Sequence, residues 1–330
     1  MRVDLAEWLA QTPEVALDPE RPIVDPHHHL WEYPGSVYQG EELVADTADH
    51  NIVKTVFVEC DSRYREDGPE AMKPLGETEY VEGVAEKHSS PVQVAAGIVG
   101  FANMALGEYV QDVLEAHLAL SPKRFRGIRH TSGWDQSDRV RNSHTNPPQG
   151  LMLDPSFKEG VACLQKYNLS LDAWLYHPQL PDFVELAKAF PELPMILDHF
   201  AGPLGIGPYE GKGDEIFEFW KGQMDELVAC ENVTFKLGGL KMPICGNDWH
   251  KQDKPPTSQE IADITSKYHL YCIEKFGVDR CMFESNFPVD KVSCSYTVLW
   301  NAFKRIADNF SEDEKSALFH DTATRVYRLA

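Results

Sequence analysis

The sequence predicts an α/β protein built as a single (β/α)8 TIM barrel. Three observations carry that expectation. Eight short β-rich runs alternate with helix-length stretches along 330 residues. That length suits one barrel with insertions. Nearly every run also ends, on its C-terminal side, in a residue able to do chemistry, as strands converging on one mouth would. The rival is a doubly wound open sheet, but no GxGxxG follows the first run. The glycine-rich GPLGIGP at 202–208 follows the sixth run, carries two prolines and reads as a loop. Residues 1–21 are expected to form an N-terminal extension packed on the barrel, and 22–330 the barrel itself.

The runs, in order, are PIVDPHHHL (22–30), IVKTVFVEC (52–60), VQVAAGIVG (92–100), RFRGIRH (124–130), LSLDAWLYH (169–177), MILDHFAG (195–202), VTFKLGG (233–239) and CMFESN (281–286). They are rich in β-branched and aromatic residues and bounded by turn formers. Between them lie helical patterns such as EYVQDVLEAHLAL, FKEGVACLQKYN, LPDFVELAKAF, EIFEFWKGQMDELVAC and QEIADITSKYHLYCIEKF. The segment at 59–80, with Arg63, Tyr64 and Arg65, is long enough to act as a lid over the mouth. The polar, proline-rich 243–257 reads as a rim loop.

Charge and composition narrow the function classes. The formal charge is −21 and the hydrophobic fraction 42%. Such a surface repels nucleic acid and anionic membranes, while the core is large enough to fold. The seven cysteines are odd in number and form no CxxC pair, which suits reduced thiols in a cytoplasm. The first residues are acidic and lack an apolar leader core, and no stretch of 18 apolar residues suggests a membrane span. A cytoplasmic protein acting on a small molecule is expected, and a homodimer would suit a barrel that associates through its outer helices.

Asp25-Pro26-His27-His28-His29 is the most informative stretch. Side chains alternate along a strand, so His27 and His29 point into the barrel and His28 points out. Two imidazoles so placed can hold a divalent metal, or grip an anion if protonated. His199, at the end of the sixth run, offers a third imidazole from another strand. Met282, Glu284 and Asn286 share a parity, so Glu284 faces the interior if Asn286 does. Burial there would raise its pKa and suit it to acid or base work. Glu59 ends the second run and is a further carboxylate, and Asp290 a third if its loop folds back. Arg126 or Arg129 could hold a substrate carboxylate by its guanidinium fork. Tyr176 could donate to a developing oxyanion, with His177 and Lys236 as further substrate contacts. Trp31, Trp134, Trp174, Phe200 and Phe287 either line a ring-shaped substrate or simply pack.

DPHHHLW (25–31), FRGIRH (125–130), LDHFAGP (197–203) and RCMFESNFPVD (280–290) together resemble the amidohydrolase superfamily. The resemblance is closest to its amidohydrolase 2 branch, which holds pyrone-dicarboxylate lactonases, sugar lactonases and aromatic-acid decarboxylases. It implies a (β/α)8 barrel, metal ligands at His27, His29 and His199, and a catalytic Asp on the eighth strand. It also implies one divalent metal, zinc or manganese, although some lactonases of this branch work without metal. The eighth-strand position falls on Asn286, where relatives read SDWP and this chain reads SNFP. An amide is a weak ligand and cannot accept the proton of an attacking water. Another carboxylate, Glu284 or Glu59, is therefore expected to activate water, with Asn286 positioning it. The expected reaction is hydrolysis of a small anionic or polar lactone, carboxylated or sugar-derived. The alternatives are metal-dependent decarboxylation of an aromatic acid, and a catalytically lapsed barrel that only binds.

Overall fold

The computed structural model describes residues 4–330. Eight parallel strands run in sequence order: β1 Ile23–His28, β2 Ile52–Val58, β3 Gln93–Gly100, β4 Phe125–Arg129, β5 Ser170–Ala173, β6 Met195–Leu197, β7 Val233–Leu237 and β8 Cys281–Phe283. Each is hydrogen-bonded to the next. Each also lies inside the run the sequence marked. Most of the shortfall is at C-terminal ends, where the backbone leaves the sheet to build the mouth. Helices follow the strands at Gly40–Asp46, Leu75–Lys87, Gln111–Leu120, Pro155–Lys166, Leu180–Ala189, Gly213–Glu226, Ser258–Phe276 and Tyr296–Ile306. Their starts are chemically marked. Asp154 accepts from the Ser156 and Phe157 amides ahead of Pro155, and Thr257 with Glu260 forms a capping box.

The ring closes beside the HxH stretch. β8 is short, and its continuation meets β1 through a bridge between His28 and Phe287. The Asn286 amide donates to the His27 carbonyl at 2.9 Å, and the His29 amide to the Phe287 carbonyl at 2.8 Å. Asp25 secures this seam from inside. Its carboxylate accepts from the Ser285 amide and the Tyr296 hydroxyl, both at 2.9 Å. Burial raises its pKa to about 6.

The barrel interior is plugged by the chain's own end. Val24, Val56, Val58, Val99, Ile196 and Met282 pack with Ala323, Tyr327 and Leu329. A larger apolar layer lies between the strands and the helices. At the other end of the chain, the Trp8 indole donates to the Gln252 carbonyl at 3.0 Å and Thr12 to that of Pro255 at 2.8 Å. All seven cysteines are free thiols. Among the described residues, no helix is long and apolar enough to cross a membrane.

Candidate active site

Strand β1 delivers two imidazoles to one point. His27 Nε2 and His29 Nε2 lie 3.3 Å apart. His29 Nδ1 is 2.8 Å from the Val58 carbonyl, so it donates there and its Nε2 carries the lone pair. His27 Nδ1 is 3.0 Å from Glu284 Oε2. It also lies 3.1 Å from Lys236 Nζ, but that ammonium has carboxylates for partners, which leaves His27 to donate to Glu284. The tautomers follow from this network. Burial pushes both imidazoles well below their ordinary pKa, helped by Lys236 at His27 and Arg129 at His29. Two neutral rings therefore turn lone pairs toward each other, which favours a cation between or beside them. Arg129 Nη1 approaches His27 Nε2 at 3.3 Å. His28 points the other way, 2.9 Å from Thr55 Oγ1.

His199 is aimed by an unusual turn. His199, Phe200 and Ala201 all have left-handed backbone, with φ of 54°, 55° and 57°. Such conformations are uncommon for residues with side chains and collect at functional sites. Two glycines make room opposite. A Cβ at Gly239, where φ is +73°, would lie 2.5 Å from His199 Cβ; one at Gly238 would lie 2.5 Å from Glu284 Cγ. His199 Nδ1 is hydrogen-bonded to Glu284 Oε1. Glu284 thus spans His199 and His27 with its two oxygens. Burial alone would raise its pKa, but the two histidines outweigh that and bring it down to about 2. Trp174 meets His199 edge-on, and Trp31 stacks beside His29.

A buried charge network surrounds this centre. Lys236 Nζ lies 2.8 Å from Asp172 and 3.1 Å from Asp198. Tyr327 reaches Asp172 at 2.5 Å from the plug. Toward β2, Arg129 Nε donates to Glu59 Oε1 at 2.7 Å, and His144 Nε2 lies 3.0 Å from Glu59 Oε2. Burial would raise Glu59, but His144 and Arg129 hold it at about 2. Glu284 Oε2 faces His27 Nδ1 at 3.0 Å, Asp198 Oδ1 faces Lys236 at 3.1 Å, and Asp290 Oδ2 has Lys241 at 3.5 Å. Around the centre the carboxylates of Glu59, Asp172, Asp198 and Glu284 outnumber the fixed cations Arg129 and Lys236, a charge balance that fits a bound cation. His27, His199 and Glu284 each offer one donor atom, and the three atoms lie within 4.8 Å of one another.

The sequence-marked residues divide. His27, His29, His199, Glu284, Arg129 and Glu59 come together at the mouth. Glu284 joins the histidines here: with His27 and His199 it forms a group able to hold a metal ion, while His29, tied by Nδ1 to Val58, keeps its Nε2 turned toward His27. Glu284 has a lowered pKa, not the raised one expected from burial. Arg126 does not enter the barrel: it donates to the Tyr327 carbonyl at 2.7 Å and to that of Arg328 at 3.3 Å, pinning the plug. The Tyr176 hydroxyl is taken by the Arg141 carbonyl at 2.5 Å. His177 accepts from the Leu204 amide at 3.2 Å and packs against Tyr209 and Phe219. Lys236 is fully buried and paired with Asp172 and Asp198, with no face left for a substrate. Asn286, at φ 55°, donates its side-chain amide to Asp290 Oδ1 at 3.1 Å. Lys241 Nζ lies 3.5 Å from Asp290 Oδ2.

Four participants carried weaker sequence signals. Asp172 and Asp198 are charged residues inside apolar strand runs, a pattern that could have flagged them. Tyr327 comes from the far end of the chain. His144 sits in a polar loop whose only clue is that it follows the end of β4.

The chain is similar to known proteins over nearly all its length. It is 36% identical over 330 residues to an uncharacterized protein, y4mH, of Sinorhizobium fredii, covering 93% of this chain and 98% of that one. It is 28% identical over 235 residues to L-fucono-1,5-lactonase of Burkholderia multivorans, covering 71% and 72%. A crystal structure of an amidohydrolase from Burkholderia multivorans with bound zinc superposes with a TM-score of 0.72 at 23% identity, covering 93% of this chain and 99% of that chain. The amidohydrolase family model matches residues 24–329, and the chain belongs to that family.

Proposed function

We propose that the chain hydrolyses a small lactone at the barrel mouth, with one divalent metal held by His27, His199 and Glu284. The observation that carries this is the Glu284 carboxylate spanning two imidazoles from β1 and the end of β6. It supplies from the eighth strand the anion that Asn286 cannot. A divalent ion so held would polarise the lactone carbonyl and acidify a bound water. The chain's own residues do the rest. His29, fixed by Val58, presents its Nε2 lone pair beside the ion's place, and Arg129, paired with Glu59, closes the same side.

Glu284 orients and holds; a carboxyl with a pKa of about 2 is a poor proton acceptor near neutrality. Asp290 suits that role better. Burial raises its pKa, helped by Glu284 and against the opposing pull of Lys241, His199 and the Asn286 amide. Its Oδ2 has no hydrogen-bond donor. Asn286 therefore acts as the tether of the proton acceptor: an amide and a loop carboxylate divide the work of one aspartate.

The arginines favour an uncharged substrate within the lactone class. Arg126 lies outside the mouth, and Arg129 is neutralised by Glu59. A hydroxyl-bearing sugar lactone needs no free guanidinium, whereas a dicarboxylate would. The lactonase name of the Burkholderia multivorans relative points the same way. The test is turnover of L-fucono-1,5-lactone against 2-pyrone-4,6-dicarboxylate, followed by proton release. Opening of the sugar lactone, falling at least ~10²-fold in His199→Ala, is expected. No lactone turnover, or carbon dioxide release from an aromatic acid, would refute the proposal.

A further inference from the structure

His144 belongs to a loop anchored on both sides of it. The Ser143 amide donates to the Gly133 carbonyl at 2.8 Å, and Thr145 Oγ1 donates to that of Thr131 at 3.0 Å. The imidazole is 28% exposed, while the Glu59 carboxylate behind it is fully buried. Ring and carboxylate meet at 3.0 Å. Arg129 grips the other oxygen of Glu59 and reaches on to His27. A hydrogen-bonded chain thus runs from the metal-donor centre to His144. On its outer side His144 borders a cavity of about 550 Å³, walled also by Tyr64, Phe101, Asn103, Leu151 and Asp154. All three elements that frame it, the segments after β2, β3 and β4, open on the mouth. No lysine or arginine lines it.

An ionised carboxylate behind an imidazole fixes the ring. Nε2–H donates to Glu59, and Nδ1 is left to address the cavity. That is the geometry of a proton-transferring histidine oriented by a third group. We infer that His144 is a catalytic residue for lactone opening, the acid that protonates the ring oxygen as it leaves. The inference rests on the lactonase reading above. The water oxygen bonds to the acyl carbon, the ring C–O bond breaks, and the His144 Nδ1 proton passes to the departing oxygen. The water gives up two protons in all. One restores His144 through solvent at its exposed edge, and one is released with the carboxylate product.

An acid must carry its proton. Burial alone would lower the pKa of His144, but the charge and hydrogen bond of Glu59 outweigh it and raise the pKa above 6.5; Asp61 adds to this and Arg129 opposes it. His130, also at the end of β4, is held neutral by burial at about 4. Asp154 also lines the cavity, with its carboxylate accepting from the Ser156 and Phe157 amides. Activity should therefore decline above neutrality along a basic limb set by His144.

The experiment measures kcat/KM for L-fucono-1,5-lactone from pH 5 to 9, corrected for spontaneous opening, in wild type and His144→Gln. The expected result is a basic limb in wild type, a loss of ~10²-fold in the variant, and disappearance of the limb. Partial rescue of His144→Ala by added imidazole is expected as well. His144 lies on an exposed loop, and an unchanged melting temperature would show that the variants fold. A limb that persists in His144→Gln overturns the inference whatever the size of the loss, and so does a wild-type profile with no limb. A wild type that opens no lactone instead refutes the functional reading on which the inference rests.

Discussion

An amide oxygen is a weak ligand and accepts no proton in catalysis, so the barrel must place a carboxylate elsewhere. At the residue scale the proposed reading gives that work to two side chains, Glu284 and Asp290, and their variants should fail differently. Glu284→Gln keeps the shape but removes the charge that joins His27 to His199. It should lose both activity and bound metal. Asp290→Asn should lower kcat by ~10²-fold or more while KM and metal content stay near wild type. Equal metal loss in both variants would contradict this division, and kinetics paired with elemental analysis reads it out. The HxH pair, His199 and Glu284 were legible because strand parity and position at a strand end are written in the sequence. The lowered pKa of Glu284 was not, because burial alone argues for the opposite shift and only the facing imidazoles reverse it.

At the scale of elements, the turns after the strands matter more than the strands. The left-handed run from His199 to Ala201 packs His199 against Gly239. Gly239→Ala should therefore cost ~1–3 kcal/mol and most of the activity, because the added Cβ meets His199 in a backbone conformation that already disfavours it. Gly35→Ala carries similar backbone strain at φ +80°, yet its Cβ meets nothing within 4 Å. It should lose stability without loss of kcat. Comparable activity in the two variants would remove Gly239 from the site's support. The alternation of runs marked all eight strands, but parity stops being informative where the strand ends. Asn286 lies past β8 in left-handed backbone, so its side chain turns to Asp290 instead of standing in line with Glu284. Arg126 shows the other failure: sequence alone does not say which face of β4 an arginine takes when the C-terminal plug offers it carbonyls.

The whole molecule is a barrel stoppered by its own C-terminal segment and filled with neutral histidines. Arg126→Ala should loosen the stopper, lowering the melting temperature by the equivalent of ~1.5–3 kcal/mol, with KM within about twofold of wild type. A raised KM would return Arg126 to the substrate. Burial lowers the pKa of eight of the thirteen histidines: His27, His28, His29, His50, His117, His130, His177 and His269. The unfolded chain takes up these protons at pH 6.5, while His50, His117, His130 and His177 of the folded chain wait until about 4. Stability is therefore lost as pH falls from 6.5 toward 4. Glu59 and Glu284, held at about 2, extend the loss from 4.5 downward. Asp25 at about 6, Glu77 at about 8 and the raised Asp172, Asp290 and His144 act with opposite sign, since the folded chain protonates them first. The histidines outnumber them, so unfolding by urea should show a loss of more than ~3 kcal/mol between pH 7 and pH 5. A flat profile across that range would mean that the buried rings are already charged.

On the proposed reading Glu284, not Asn286, completes the donor set with His27 and His199. The most direct test of that reading is divalent metal per chain, by elemental analysis, in wild type, Glu284→Gln and Asn286→Ala purified without chelator. About one ion per chain is expected in wild type and in Asn286→Ala, and a loss of ~10-fold or more in Glu284→Gln. Metal retained in Glu284→Gln, or absent from wild type, would contradict that reading.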